Sequence, residues 1–402
     1  MIYLDNAATT PISPKVLEAM MPYLKEEYGN AGSLYGLGRR AADAIAKARR
    51  QVADFIGADP EQIIFTSGGT EANNLAIVGS KDYLVRIGKK HIVTSPTEHD
   101  SVLRAIEAVC KPLSCNNEKC IKDEFYTTFL PVDRYGHVSV SNFDRDISTY
   151  DDIGLTSVMC VNNEVGTLNS IEYIGHACRK KNVLFHTDCV QAAGVVKLDV
   201  KKVFCDFMSI SSHKIHGPKG IGALYVRNKE IISAIINGGA EQEYGLRGGT
   251  ENVANIVGFG EACELVSKGM DDYTKTITYY KRRFVDILTE RLSEDNLEGI
   301  IHINGQPPRL VGKTLSITFD GVDAETLVLM CDAKGLCISA GSACRSHEST
   351  PSRVLLAIGL SEEDARNTVR ISFSEFNESH EISRGAKILA NCVKSLRGGA
   401  CV

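Results

Sequence analysis

Lys214 closes the run Ser211-Ser212-His213-Lys214, which follows Phe207-Met208-Ser209-Ile210 and precedes Gly217-Pro218-Lys219-Gly220. The apolar stretch reads as a buried strand, and the glycine–proline run behind it does not continue as helix. A lysine held at the end of a buried strand loses its proton more easily than a solvated one. Its amine can then form a Schiff base with a carbonyl. Most lysines in turns are plain surface residues, so Lys214 by itself decides little.

Four further apolar runs end in polar residues. Ile63-Ile64-Phe65-Thr66 leads to Ser67-Gly68-Gly69-Thr70, just ahead of a helical stretch. Glycines there let backbone approach an anion, and a helix N-terminus supplies free N–H groups and the positive dipole end. His91-Ile92-Val93-Thr94 leads to Thr97-Glu98-His99, a third run to Asn162-Asn163-Glu164, and a fourth to Thr187-Asp188, with Gln191 one helical turn on. Each has a plainer use: Asp188 as a helix cap, His99 as a satisfied loop histidine, Asn163 as a turn residue, Gly69-Thr70 as a simple turn. Ligands of open α/β sheets sit beyond the carboxyl ends of the strands, and the conjunction at five successive ends points to pyridoxal phosphate. In that arrangement Lys214 bonds the cofactor, Gly69 and Thr70 cradle its phosphate, and Asp188 pairs with the ring nitrogen.

The elements that position these residues follow from pattern. From about residue 60 to 226 short β-branched runs, Ser157-Val158-Met159-Cys160-Val161 among them, alternate with helical segments, which predicts a mostly parallel α/β sheet with helices on its faces. Gly222-Ala223-Leu224-Tyr225-Val226 suggests an added antiparallel strand. Residues 255 to 292 read as helix, and the strands Leu315–Phe319 and Val369–Phe373 with a helix from Ala324 suit a smaller α+β domain. The 402 residues are 43% hydrophobic and 24% charged with net charge −5. That is ordinary globular composition, with no basic surface calling for direct nucleic-acid binding and no apolar run for a membrane. The N-terminal residues lack signal-peptide character, and thirteen scattered cysteines suit reduced thiols and a cytoplasmic location.

The chain resembles the NifS/IscS-like cysteine desulfurases of the class V aminotransferase family, fold-type I pyridoxal phosphate enzymes. The resemblance runs through Tyr3-Leu4-Asp5-Asn6-Ala7-Ala8-Thr9-Thr10, Thr66 to Asn74, Thr97-Glu98-His99, Asn162-Asn163-Glu164-Val165-Gly166, Thr187-Asp188-Cys189-Val190-Gln191, Ser211-Ser212-His213-Lys214 and Gly341-Ser342-Ala343-Cys344. It implies a seven-stranded, mostly parallel sheet in a large cofactor domain over 15–258. It also implies a small domain over 1–14 and 259–402 that carries a cysteine loop. By position it implies that Lys214 holds the cofactor and moves the Cα proton, and that His99 stacks on the ring and acts as a catalytic acid or base. Asp188 would face the ring nitrogen, Gln191 the phenolic oxygen, and Thr70, Ser211 and His213 the phosphate. Thr250 would reach the phosphate of the other subunit of a homodimer, and Asn163 and Arg370 would hold the substrate carboxylate. L-cysteine would become L-alanine, its sulfur kept on Cys344 as a persulfide for a protein acceptor in iron–sulfur cluster assembly, tRNA thiolation or DNA sulfur modification. The alternatives are a selenocysteine lyase, a class V aminotransferase, which would not need Cys344, or a non-catalytic adaptor, which would not need Lys214 and Asp188.

Cys344 sits among small residues in Ser339-Ala340-Gly341-Ser342-Ala343-Cys344-Arg345-Ser346, a sequence suited to a mobile loop. Arg345 or His347 would raise its thiolate fraction above that of a free thiol, whose pKa is about 8.5. Three features depart from the family pattern. Cys110, Cys115 and Cys120 mark an inserted segment, three cysteines without a clear fourth ligand. The C-terminal element used for scaffold docking is not found after Lys394. Ser374-Glu375-Phe376 stands where many relatives have Gly-Arg-Phe.

Overall fold

The computed structural model describes residues 1–110, 125–305, 312–341 and 350–397. Among the described residues, thirteen strands form three sheets. β1 (Ile2–Tyr3) pairs in parallel with β11 (Leu336–Cys337). The large sheet comprises β2 (Ile63–Thr66), β3 (His91–Thr94), β4 (Tyr126–Phe129), β5 (Ile153–Ser157), β6 (Leu184–Asp188), β7 (Phe207–Ser211) and β8 (Gly222–Val226). Its order is β2-β8-β7-β6-β5-β3-β4, and only the pairs made by β8 are antiparallel. The smaller antiparallel sheet has the order β12-β13-β10-β9, from β9 (Ile301–Asn304), β10 (Thr314–Phe319), β12 (Ser339–Ala340) and β13 (Thr368–Ser372).

The expected seven-stranded sheet is therefore present, with one antiparallel strand where the Gly222 run suggested it. One strand is displaced from its expected place. β5 occupies Ile153–Ser157, not Ser157–Val161. Val158 to Val161 are just as buried, so hydrophobicity could not separate strand from exit. The backbone still bonds to the neighbouring β6 segment, from Val158 N to His186 O at 3.1 Å and Cys160 N to Asp188 O at 2.9 Å. It then turns at Asn162, whose side-chain oxygen accepts from the N–H groups of Glu164 and Val165. That Asx turn ends the run that continues beyond the strand.

The central strands are buried on both faces, between one apolar cluster containing Phe65, Phe143, Phe185 and Phe259 and another containing Leu75, Leu84, Phe207 and Leu224. A third cluster, with Phe284, Phe319, Phe373 and Leu389, underlies the smaller sheet. The helix Val253–Ser293 joins them. Its first turns bury Ile256, Phe259 and Cys263 in the large core, and its last turns bury Phe284, Leu288 and Leu292 in the other. At 1.5 Å per residue it is about 60 Å long and works as a strut. The N-terminal residues are the second link. Ile2 and Leu4 pack in the smaller core, and the next residues cross to the large sheet. No helix among the described residues is long and apolar enough to cross a membrane.

Close packing behind the large sheet can be tested at Gly175, in the helix Ile171–Lys180. A Cβ there would lie 1.9 Å from the Val203 carbonyl oxygen and 2.9 Å from the Phe185 ring. Helix propensity alone favours alanine by about 1 kcal/mol, but forcing backbone apart costs about 3 kcal/mol. Gly175→Ala should lower unfolding stability by about 2 kcal/mol in urea titration, the opposite sign to an unhindered helical glycine.

Candidate active site

The C-terminal ends of β6 and β7 and the turn after β2 open on one cavity of about 310 Å³. Its walls include Gly69, Thr70, His99, Asn163, Asp188, Gln191, Ser211, His213, Lys214 and Arg370. These are the positions expected from sequence, apart from Thr250 and Cys344. Thr250 lines a separate opening with Ser67 and Arg247, and Cys344, with Arg345 and His347, lies outside the described residues.

Lys214 ends a single 3₁₀ turn, Ser212–Lys214, that follows β7 directly. Its Nζ donates to the carbonyl oxygens of Ala7 at 2.7 Å and Ala8 at 2.8 Å. Gln191 Nε2 donates to the same Ala7 oxygen at 2.9 Å. The N-terminal segment thus reaches the lysine from the smaller sheet. Beside it, His213 is pushed down to about 3 by burial and by the charges of Lys214, Lys313 and Lys219. It stays a neutral ring, with Nδ1 3.1 Å from Thr9 Oγ1.

Asp188 is 4% exposed at the end of β6. Its Oδ1 accepts from the Val190 N–H at 2.9 Å and its Oδ2 from Asn73 Nδ2 at 2.8 Å. The same Asn73 amide is 2.8 Å from Ser101 Oγ, which lies 2.7 Å from His99 Nδ1. His99 Nδ1 also accepts from the Ser101 N–H at 3.1 Å, which places the proton of the neutral ring on Nε2. One network therefore fixes the carboxylate and the imidazole together. Neither Asn73 nor Ser101 was singled out from sequence. The available signal was that Asn73 falls one helical turn after Thr70, on the same face.

Glu98 is 1% exposed and accepts from the Met159 N–H at 2.9 Å. Burial, and then the nearby Asp188 charge, raise its pKa well above the usual carboxylate range despite the hydrogen bonds it accepts, which favours the protonated acid. Arg353 fastens the chain that follows 342–349 to the same turn. Its Nε donates to Pro96 O, Nη2 to Glu98 O, and Nη1 to Asp100 Oδ1 at 2.9 Å. Arg370, on β13 and 3% exposed, donates from Nη2 to Asp5 Oδ1 at 2.9 Å. Its Nη1 reaches the Asn163 carbonyl at 3.4 Å, while Nε is buried without a partner.

The other end of the cavity fits a phosphate. The helix Gly69–Gly79 starts there with no side-chain cap on its free N–H groups. Gly68 has φ 154° and ψ −177°, open in practice only to glycine. A Cβ on Gly69 would lie 2.6 Å from Val190 Cγ2, so the backbone itself forms the wall. Ser211 Oγ is buried with no partner. An orphan hydroxyl beside an uncapped helix start and a lysine is a donor set built for an anionic ligand.

The family profile described as aminotransferase class-V matches residues 2–384. The chain belongs to the aminotransferase class-V family. Its relatives place it in the NifS/IscS-like group. It is 39% identical over 396 residues, 98% of this chain and 93% of the other, to the cysteine desulfurase IscS of Methanosarcina thermophila. A solved NifS-like protein superposes with a TM-score of 0.86 at 30% identity, covering 98% of this chain and 99% of that one. The structure of SspA in complex with cysteine superposes at 0.74 with 32% identity, covering 94% and 100%. Class-V enzymes of this group use pyridoxal 5′-phosphate, and the orphan Ser211 hydroxyl, the Asn73-supported Asp188 and the Lys214 amine fit that cofactor's phosphate, ring nitrogen and aldehyde. No described cysteine lies in the cavity wall. Of the inserted segment, Cys110 is described, 3.2 Å from Thr127 Oγ1, while Cys115 and Cys120 lie outside the described residues.

Proposed function

We propose that this class-V protein is a cysteine desulfurase that converts L-cysteine to L-alanine and passes the sulfur, held on Cys344, to a protein acceptor. The observation that carries the reading is the meeting of Lys214, Asp188 and Arg370 in one cavity, in a chain whose relatives are cysteine desulfurases. Pyridoxal phosphate, when bound, supplies an electron sink for charge developing at the substrate Cα. Gly69, Thr70, Ser211 and His213 would hold its phosphate, Asp188 its ring nitrogen and Gln191 its phenolic oxygen, and His99 would pack against its ring.

Arg370 and Asn163 orient the substrate carboxylate. Lys214 takes the proton from Cα and returns it on the path to alanine. The Cys344 thiolate attacks the substrate sulfur. The S–S bond forms as the Cβ–S bond breaks, and Cβ gains a proton. Cysteine plus the Cys344 thiol thus gives alanine plus the Cys344 persulfide, with no net oxidant. The acceptor thiol then takes the outer sulfur by thiol exchange. Thr250, set apart from the cavity, serves the site of the second subunit in a homodimer. The protein works in the cytoplasm, and iron–sulfur assembly, tRNA thiolation and DNA sulfur modification are the acceptor pathways this chemistry serves.

The test is product analysis with L-cysteine. Equimolar alanine and sulfide in the presence of a thiol reductant, and alanine limited to about one turnover per site without it, are expected. A cofactor-loaded protein that releases no alanine from cysteine would refute this function. Selenocysteine and amino-group transfer would then be assayed in its place.

A further inference from the structure

Lys313 precedes β10 in the smaller layer yet serves the opposite one. Its Nζ donates to the carbonyl oxygen of Lys214 at 2.8 Å, and the residue is 4% exposed. The backbone carrying it is fixed from both sides. Its carbonyl accepts from the Phe373 N–H at 3.0 Å. The preceding Gly312, at φ +74°, lies so near Val195 that a Cβ would come within 2.8 Å of Cγ1. Burying an ammonium against a carbonyl costs several kcal/mol that a leucine would not, so packing does not account for a lysine here.

The charges facing Lys313 come from four segments. Lys214 and Arg370 oppose its charge, and Glu375 and Asp5 favour it. His213, beside Lys214, feels both lysines. Glu375 is itself engaged by His216, with Oε2 3.5 Å from Nε2.

We propose that Lys313 is a positioning residue for Lys214: it pins the carbonyl of the lysine turn from the opposite layer and sets a buried positive charge beside the Lys214 amine. The pinned carbonyl fixes the backbone from which the Lys214 side chain is aimed at Ala7 and Ala8. The like charge makes a second ammonium costlier, so Lys214 gives up its proton more readily. Burial, and then the Lys214 charge, bring Lys313 itself down to about 7, so this assistance fades as Lys313 is neutralised at higher pH. The inference rests on Lys214 being the lysine that bonds the cofactor.

The test compares cofactor-loaded wild type, Lys313→Met and Lys313→Arg by the pH midpoint of the visible absorption change. Borohydride reduction and peptide mapping locate the cofactor, and the melting temperature is read alongside. Methionine removes the charge, so its midpoint should rise by about 0.5 pH unit or more, a threefold change in proton affinity. Arginine keeps the charge at every pH, so its midpoint should equal or fall below that of wild type. Opposite directions are the signature of the charge, because a purely structural role would lower both melting temperatures and leave the midpoints together. Midpoints within 0.2 unit of one another, with the cofactor mapped to Lys214, would overturn the inference alone. Cofactor mapped elsewhere would overturn the reading of Lys214 and the inference with it.

Discussion

Replacing Lys214 with alanine should lower turnover of L-cysteine by about 10⁴-fold or more. The residue is asked to do two things in the proposed reaction, to bond the cofactor and to move the Cα proton. Proton transfer by a positioned group accounts for about 10²–10⁴ by itself. Neither His213, Glu98 nor Lys313 can inherit the task. His213 is neutral, held down to about 3 by burial and adjacent lysines. Glu98 is biased toward its protonated form by burial. Lys313 spends its ammonium on the Lys214 carbonyl. Lys214→Arg should fare no better, because a planar fork does not replace a compact amine between the Ala7 and Ala8 oxygens. The variant should still fold and take up cofactor through the Gly69 helix and Ser211. The check is single-turnover alanine formation with and without added methylamine, and a loss of less than tenfold would remove Lys214 from the proton-transfer role.

Cys344→Ala should be nearly as severe for sulfur release and much milder for substrate binding. Alanine and sulfide should both fall by about 10³-fold or more, because no thiolate remains to take the substrate sulfur. Cysteine should still perturb the visible spectrum with little change in affinity. No described cysteine lies in the cavity wall to act as a substitute. Of nine, seven are buried. Burial pushes the Cys178 thiol up to about 12 and raises those of Cys189, Cys205 and Cys263 as well. A thiol held that high is almost never a thiolate at neutral pH. Cys110 and Cys337, the two partly exposed ones, are also raised by burial. Sulfide assay and mass mapping of trapped persulfide check the result. Persulfide found on another cysteine of the active variant would move the sulfur-carrying role away from Cys344.

The polar strand ends were legible because their spacing is local. Each site residue on the large sheet lies within a few positions of an apolar run, and a parallel sheet sends all such ends to one edge. That logic brought Thr70, His99, Asp188 and Lys214 to one cavity wall and needed no contacts. It failed where the apolar signal did not change, at β5, because Val158 to Val161 leave the strand without leaving the core. It was silent on Asn73 and Ser101, whose residue types are common on helices and carry no mark of use.

What the sequence determined by itself, then, was the alternation of elements, the chemical types at their ends, and the phosphate cradle, histidine, aspartate and lysine that point to pyridoxal phosphate chemistry. The tertiary structure decided which distant groups hold those residues in place. Asn73 meets Asp188 across 115 positions, and the Ala7 carbonyl meets Lys214 across 207. Asp5 reaches Arg370 across 365 positions, and Lys313 reaches the back of Lys214 across 99. Such pairs leave no periodicity in the chain. They depend on how the strut helix and the N-terminal crossing set one core against the other, and that is settled only when both cores are packed.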